Sequence, residues 1–290
     1  MLSKRLLLGM RHLVLRAPVQ RLVRKAALRG HIPSTVWRRL HPSGIWKMHA
    51  PDGTPFLYHS VSTTDLLARS IVWTDMRDWE RSTQRLLFDL ARGVDVFVDV
   101  GAYSGIYSIL ACIANPRLKV VAFEPNPEML PSLMANIAAN GLGDRVTVVN
   151  KALSSSCGHA ELSVPSDNSA ASLLPVAAGQ AVVRIEMTTG DQALEGLPVG
   201  LVKMDVEGLE TRVLEGMSNV IELHQPHIIA ECLNQRTLDE VTEMARKFGY
   251  EFFYHVRGGR LVPAGDGYQH PGGDHNFLIT PRPRIPESNA

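Results

Sequence analysis

Cysteine is scarce in this chain, which has only Cys112, Cys157 and Cys232 among its 290 residues. Their wide spacing argues against a zinc site and against a disulfide framework, both of which need paired cysteines. Long apolar runs are also missing, because no stretch approaches the roughly 20 residues that a transmembrane helix needs. The scarcity of cysteine favours a reducing compartment, and we expect a cytoplasmic protein, with peripheral contact at a membrane as an option.

Acidic residues are absent from the first 50 positions, where 11 of the 30 Lys and Arg residues lie. The net charge of +1 is therefore the sum of a basic N-terminal segment and an acidic remainder of the chain. A net charge this small is not typical of a nucleic-acid-binding protein. Residues 1–40 are predicted to form a basic helical arm, interrupted by Pro18 and Pro33. Such an arm can contact an anionic membrane surface, pack on the acidic body, stay solvated or act as a transit peptide.

Residues 96–105 combine an apolar strand that ends near Asp99 with a turn that contains Gly101 and Gly105. A helix follows, and then a second apolar strand that leads into Glu124. This order describes one half of a nucleotide-binding α/β fold, in which the glycines let the backbone approach a ligand closely. An acidic residue at the position of Glu124 is placed to accept hydrogen bonds from ribose hydroxyls.

The spacing of this turn differs from the dinucleotide fingerprint, because Asp99-x-Gly101-x-x-x-Gly105 lacks the first glycine of Gly-x-Gly-x-x-Gly. A carboxylate at the end of the strand would repel a pyrophosphate but suits a cationic group. S-adenosylmethionine carries a sulfonium and an ammonium group and no phosphate. The pattern thus favours a methyl donor over NAD, with an ordinary tight turn as the alternative at this point.

Strands alternate with helices from residue 94 to about residue 280, which predicts a mostly parallel sheet with helices on both faces. Pro127 is expected to begin the helix after the second strand, because proline is favoured in a first helical turn. Upstream, Asp52-Gly53 between two apolar runs predicts a β-hairpin over residues 45–60.

Four of the predicted strands end in carboxylates: Asp99, Glu124, Asp205 and Glu231. Ligands of such sheets bind outside the carboxyl ends of the strands, so these side chains are expected on one rim. Any one of them could cap a helix or lie on the surface. Four together indicate a ligand that is cationic or rich in hydroxyl groups.

The chain resembles the FkbM-type S-adenosylmethionine-dependent methyltransferases over roughly residues 79–280. The matching motifs are residues 97–105, 123–127, 136–142, 203–210, 214–216 and 226–231. The most specific are Phe123-Glu124-Pro125 and the Lys-x-Asp-Val-Glu-Gly segment that starts at Lys203. The chain departs from the family at Tyr103, where Asn or a small polar residue is usual.

The resemblance implies a Rossmann-like class I methyltransferase core with a seven-stranded sheet. We place this domain at residues 93–282, after the basic arm (1–40) and an extension with a hairpin and a helix (41–92). Residues 283–290 are expected to be a disordered tail.

The resemblance also implies S-adenosylmethionine as cofactor and O-methylation, commonly of a sugar hydroxyl in a glycan, glycolipid or secondary metabolite. The residues implied around the donor are Asp99, Gly101, Ala102, Tyr103, Gly105, Glu124, Asn126, Asn150 and Ala152. Of these, the turn residues would surround the methionine part, Glu124 the ribose, and residues 150–152 the adenine.

An alcohol has a high pKa, so methyl transfer to it is helped by a base. We expect Asp205 or Glu231 to be that base, because in this class of fold the strands that end at these residues neighbour the strand that ends at Asp99. Lys203 and Glu207 would shape the acceptor site, or form a structural salt bridge. The alternative is a divalent metal ion, bound by Asp205, Glu207 and Glu231, that lowers the pKa of the alcohol.

Glu80, His227 and His275 are further candidate catalytic residues. The expected partner is a small-molecule or glycan acceptor, selected by residues 45–60, 165–181 and 258–275. A nucleic-acid substrate is not expected, because an acidic rim repels a phosphate backbone. The rival functions are an NAD-dependent oxidoreductase, disfavoured by the spacing of the turn, and a non-enzymatic binding module that the basic arm tethers to a membrane.

Overall fold

The structure is a computed structural model, and it describes residues 17–63, 65–164 and 181–283. The helices are α1 (Ala17–Leu28), α2 (Ser34–Trp37), α3 (Leu66–Ile71), α4 (Arg81–Ala91), α5 (Ile106–Ala114), α6 (Leu130–Ala139), α7 (Gly190–Ala193), α8 (Glu210–Gly216), α9 (Ser218–His224) and α10 (Gln235–Lys247). The first residues of the arm, the segment 165–180 and nearly all of the expected tail lie outside the described residues.

The strands form three sheets. They are β1 (Gly44–His49), β2 (Pro55–Ser60), β3 (Val96–Val100), β4 (Lys119–Phe123), β5 (Val146–Val149), β6 (Ala152–Leu153), β7 (Gly158–Val164), β8 (Ala181–Thr188), β9 (Val199–Met204), β10 (His227–Glu231), β11 (Phe252–Arg257), β12 (Arg260–Pro263) and β13 (Asn276–Thr280). The main sheet has eight strands in the order β12-β11-β13-β10-β9-β3-β4-β5. The expected hairpin is β1-β2, and β6, β7 and β8 make a small third sheet.

The main sheet confirms the mostly parallel α/β class. Strands β5, β4, β3, β9 and β10 run parallel, and β13 is inserted antiparallel between β10 and β11. The sheet has one strand more than the seven expected, because the chain turns back at Gly258-Gly259 and adds β12 to its edge. The chain leaves β3 toward β5 and then crosses to β9, so the strand order reverses between β3 and β9. Ligands of open α/β sheets bind at such a switch point.

Each face of the main sheet is covered by its own apolar core. One core contains Leu87 of α4, Ile109 of α5 and Leu133 of α6, together with Tyr58 of the hairpin. The other face packs against helices α8, α9 and α10. The extension at residues 41–92 thus shares a core with the helices of the domain that follows it.

The hairpin is attached to α6 by two asparagines one helical turn apart. Asn140 Nδ2 donates to the carbonyl oxygen of Leu57 at 2.7 Å, and its Oδ1 accepts from the Leu57 amide at 2.9 Å. Asn136 Oδ1 accepts from the His59 amide at 2.7 Å, and its Nδ2 donates to the carbonyl oxygen of Ser104 at 3.1 Å. These amide groups pair the free edge of β2 as a neighbouring strand would. Asn136 also connects the hairpin to the glycine turn.

Helix α6 begins later than the sequence predicts. It starts at Leu130, and the proline in its first turn is Pro131. The expected start at Pro127 is wrong, because residues 124–129 leave the strand as a loop in which Asn126 Oδ1 accepts from the amide of Glu128 at 3.0 Å. An asparagine turn of this kind competes locally with helix formation.

The described part of the basic arm, α1, packs on the body. Arg24 pairs with Asp75 at 3.1 Å, and Gln20 Nε2 donates to Ser43 Oγ at 2.8 Å. Two apolar residues of α1 face solvent, Val19 (44% exposed) and Leu22 (66% exposed). Among the described residues, no helix combines the length and the apolar character needed to cross a bilayer.

We predict that Asn136→Ala lowers the free energy of unfolding by about 2 kcal/mol, because it leaves buried backbone groups of the hairpin and the turn without partners. Met134→Ala on the same helix is the control, since Met134 is 60% exposed. That control should change stability by less than about 0.5 kcal/mol. Urea unfolding measures both values, and equal stabilities would contradict the role of Asn136.

Candidate active site

A cavity of about 310 Å³ opens at the carboxyl ends of β3, β4 and β9. Its floor includes Val100, Phe123 and Asp205, which end or directly follow these strands. Residues of helix α3, together with Trp79 and Glu80 just before α4, also line the cavity. The cavity therefore lies where the strand order reverses, as the strand ends predict.

The glycine turn after β3 touches the segment after β9. Gly101 has a φ of +79°, and a Cβ atom there would lie 2.1 Å from the carbonyl oxygen of Asp205. Gly105 has a φ of +81°, and a Cβ atom there would lie 2.5 Å from Leu133 Cδ1. The positive φ favours glycine at both positions. Gly101 also needs the lack of a side chain, because its neighbour is backbone, whereas the Leu133 side chain near Gly105 can move. Gly101 lines the cavity, whereas Gly105 begins α5.

Asp99 lies beneath this turn rather than on the cavity surface. Its side chain is buried, and Oδ2 accepts a hydrogen bond from Ser108 Oγ at 2.6 Å. Burial raises the pKa of Asp99 to about 6, although Ser108 and Lys203 oppose the shift. Asp99 therefore adds negative charge behind the turn without being among the residues that line the cavity.

Glu124 presents its carboxylate to the cavity from the end of β4. The amide of Tyr103 donates to Oε2 at 2.7 Å, and the amide of Asn126 donates to Oε1 at 2.8 Å. Burial outweighs these two hydrogen bonds and raises the pKa of Glu124 to about 7. Asn126 is 2% exposed, and its Nδ2 has no hydrogen-bond acceptor among the described residues. The Glu124 carboxylate is thus a fixed hydrogen-bond acceptor, and Asn126 Nδ2, close to it, is a donor without a partner among the described residues.

Tyr103 makes a contact that the usual small residue cannot make. Its φ of +51° lies in the left-handed region, which Asn tolerates better than Tyr. Its hydroxyl accepts a hydrogen bond from the amide of Leu66 at 3.1 Å. Leu66 begins α3, so this tyrosine connects the glycine turn to the wall of the cavity.

The residues after β5 divide into two roles. Asn150 is exposed, and its Nδ2 donates to the carbonyl oxygens of Glu124 at 2.8 Å and Pro125 at 3.2 Å. It holds the ends of β4 and β5 together and does not line the cavity. Ala152 and Lys151 do line it.

Asp205 and Glu231 form a hydrogen-bonded acid pair beside Lys203. Burial and the neighbouring Asp205 raise the pKa of Glu231 to about 10, so Glu231 is protonated at neutral pH. Burial favours protonation of Asp205 too, but Lys203 and the hydrogen bond from Glu231 lower the pKa of Asp205 below its ordinary value. Lys203 is 1% exposed, and its Nζ lies 3.6 Å from Asp205 Oδ2. At neutral pH the pair therefore carries one negative charge, on Asp205.

Glu80 joins this pair, and Glu207 does not. One carboxylate oxygen from each of Glu80, Asp205 and Glu231 lies within 4.8 Å of the other two. Glu207 lies on the cavity wall with a left-handed φ of 55°. Burial, and then repulsion from Asp205 and Glu210, raises the pKa of Glu207 to about 7. The three residues expected as metal ligands are thus not the three that converge.

The two candidate histidines lie elsewhere. His227 begins β10, at the far end from the site, and its Nδ1 contacts Thr280 Oγ1 at 2.8 Å. His275 stacks on His270, with ring centroids 5.3 Å apart, and does not line the cavity. Neither imidazole can reach a ligand in the cavity as the described residues stand.

Comparison with known proteins agrees with this geometry. The family model of the methyltransferase FkbM domain matches residues 99–252, just over half of the chain. The chain belongs to the FkbM methyltransferase family. The hexuronic acid methyltransferase AglP of Haloferax volcanii is 31% identical to it over 182 residues, which cover 58% of this chain and 73% of AglP.

Two solved structures are similar to this FkbM-family protein. A methyltransferase FkbM from Methylobacillus flagellatus KT is 16% identical with a TM-score of 0.44, over 75% of this chain and 53% of that one. The chain thus spans about half the length of the Methylobacillus protein. A SAM-dependent O-methyltransferase from Thermotoga maritima is 13% identical with a TM-score of 0.44, over 85% of this chain and 96% of that one.

Part of the cavity is lined by residues that the motifs do not mark. Leu66, Leu67 and Ser70 come from α3, and Leu162 comes from β7. The hairpin, expected to select the acceptor, does not line the cavity. Helix α3 has only six residues, too few for a strong periodic signal, so only its position next to the hairpin could have suggested a role.

Aromatic residues form a second unmarked part of this FkbM-family site. Trp79 and Tyr107 line the cavity and contact each other, with ring centroids 5.3 Å apart. The Tyr107 ring also covers the ammonium group of Lys203 at 5.5 Å. Tyr107 lies in an apolar helix, and sequence analysis would predict an aromatic residue there to be an ordinary core residue.

We predict that Gly101→Ala destabilises the protein much more than Gly141→Ala does. Gly141 also has a positive φ, of +63°, but a Cβ atom added there would meet no neighbour within 4 Å, so it reports conformational strain alone. That strain costs about 1–2 kcal/mol. The overlap with Asp205 should bring the cost at Gly101 to about 3 kcal/mol or more. Thermal unfolding of both variants tests this. Equal losses of stability would show that Gly101 and the carbonyl oxygen of Asp205 are not in tight contact.

Proposed function

We propose that this FkbM-family protein is an S-adenosylmethionine-dependent O-methyltransferase that methylates a sugar hydroxyl. The main support is the position of the Asp205–Glu231 acid pair, beside the glycine turn at the switch point of the sheet. The likeness to a protein named as a hexuronic acid methyltransferase supports a sugar acceptor.

The residues around the turn fit the chemistry of this donor. The carboxylate of Glu124, oriented by two backbone amides, can accept hydrogen bonds from ribose hydroxyls. Asn126 Nδ2, buried without a partner among the described residues, can donate to a nitrogen or oxygen of the nucleoside. Asp99, behind the turn, supplies negative charge for the cationic end. S-adenosylmethionine, when bound, supplies a methyl group on a positively charged sulfur.

Asp205 and Glu207 differ in charge state, and we therefore give them different roles toward the acceptor. Asp205 is ionised with a lowered pKa, so it accepts a hydrogen bond from the hydroxyl and orients it but takes the proton poorly. Glu207, with a pKa of about 7, suits proton transfer at neutral pH. With the donor bound, the hydroxyl oxygen would take the methyl group as the methyl–sulfur bond breaks and leaves a neutral thioether, and Glu207 would take the hydroxyl proton. Alignment of the two reactants supplies much of the rate.

A binding and transfer experiment tests this function. Calorimetry should show binding of S-adenosylmethionine and none of NAD. With labelled donor, glucose and glucuronic acid serve as first acceptors, and mass spectrometry should show the added methyl group on an oxygen. Asp205→Asn should lower the rate about 100-fold or more while it leaves the donor dissociation constant nearly unchanged. Absence of donor binding in the wild type would refute the proposal.

The pH dependence tests the role of Glu207. Its carboxyl is protonated below its pKa of about 7 and ionised above it, so kcat at saturating donor should rise as the pH passes through about 7. Glu207→Gln should lower kcat about 100-fold and remove this rise. Glu222→Gln, on the exposed surface of α9, is the matched control and should keep it. A Glu207→Gln profile that still rises near pH 7 would assign the proton transfer to another group.

A further inference from the structure

Three carboxylates from three separate elements meet beside the cavity, which Glu80 and Asp205 line and Glu231 does not. Glu80 precedes α4, Asp205 follows β9 and Glu231 ends β10. One oxygen from each lies within 4.8 Å of the other two. Like-charged groups at such distances repel each other unless protons or cations lie between them. Lys203 is on one side of this cluster, 3.6 Å from Asp205 Oδ2.

A buried amide oxygen without a donor lies beside the same cluster. Asn276 is 4% exposed and is paired with Glu231 in the register of β10 and β13. Its Nδ2 donates to Glu80 Oε2 at 3.1 Å, which places the amide group at the carboxylates. Its Oδ1 has no hydrogen-bond donor among the described residues. A buried polar atom of this kind is costly unless something outside the protein satisfies it.

The remaining contacts of Glu80 hold it in place. Tyr107 donates its hydroxyl hydrogen to Glu80 Oε2 at 2.5 Å, the same oxygen that Asn276 contacts. Both donors thus reach Oε2, and neither uses Oε1. This arrangement orients Glu80 and leaves its second oxygen for a further partner, as far as the described residues show.

We propose that Glu80, Asp205 and Glu231, together with the amide oxygen of Asn276, bind one hard divalent cation such as Mg²⁺ or Mn²⁺, and that the ion replaces the proton between Asp205 and Glu231, which is released to solvent. Carboxylate and amide oxygens are the ligands that such ions prefer. Opposite ligands of an octahedral Mg²⁺ ion lie about 4.2 Å apart. Neighbouring ligands lie about 3 Å apart, so the three oxygens, which lie within 4.8 Å of one another, would move inward when the ion binds.

The ion would lie next to Asp205, on the wall where we place the acceptor hydroxyl. There it would attract the hydroxyl oxygen and lower the pKa of that hydroxyl. It would also offset the negative charge of the cluster, which otherwise repels an acidic sugar. This catalytic role rests on the proposed function, whereas binding of the ion does not.

Titration of the metal-free protein with Mn²⁺, without donor or acceptor, tests the site. Electron paramagnetic resonance counts the bound ions, and we expect one per chain. Glu80→Gln and Glu231→Gln should each raise the dissociation constant at least about tenfold. Asn276→Leu, which removes the amide oxygen and keeps the three carboxylates, should weaken binding less. Glu207→Gln is the matched control, since it removes a carboxylate of the same cavity outside the cluster, and it should bind as the wild type does.

Circular dichroism and thermal unfolding confirm that each variant is folded, and Mn²⁺ should raise the melting temperature of the wild type but not of Glu231→Gln. No saturable binding by the wild type, or binding that survives both Glu80→Gln and Glu231→Gln, would overturn the inference. Methyl transfer that persists in a chelator, together with absent binding, would reject the metal and leave the proposed function standing. Metal binding without methyl transfer would reject only the proposed function.

Discussion

The buried ammonium group of Lys203 holds the negative charges of the site together. Lys203 is 1% exposed, and burial alone would lower its pKa, but Asp205, Glu80, Glu231 and Asp99 together raise it above its ordinary value. The cation therefore stays charged inside the protein and interacts with acidic side chains from four different elements. Loss of this single charge would leave them uncompensated at the carboxyl edge of the sheet, where burial magnifies repulsion.

Backbone contacts set the position of these charges. Asp205 donates its amide hydrogen to the carbonyl oxygen of Val100 at 3.0 Å, and its carbonyl oxygen lies against Gly101. The end of β9 thus packs directly on the glycine turn after β3. On the other side, Asn136 connects the turn to the hairpin, and Tyr103 connects it to α3. The turn is the point where the floor and the wall of the cavity join.

Much of this arrangement could be predicted from local sequence. The alternation of strands and helices predicts the sheet, and Asp52-Gly53 predicts the hairpin that is observed. Acidic residues at the ends of four strands predict a charged rim, because parallel strands bring their carboxyl ends to one edge. The prediction of a helix from Pro127 failed, because a short asparagine turn after Glu124 competes with helix formation over those residues.

The sequence by itself determined the class of fold, the family and the carboxylates at the strand ends, since each of these depends on neighbouring residues and their spacing. Only the tertiary structure decided which carboxylates meet. Glu80 and Asn276 are 196 positions apart, and they touch because β13 is inserted between β10 and β11. It also decided the charge of each group, because a pKa such as that of Glu231 depends on burial and on neighbours from distant segments. Local sequence patterns contain no information about contacts between residues that lie far apart in the chain.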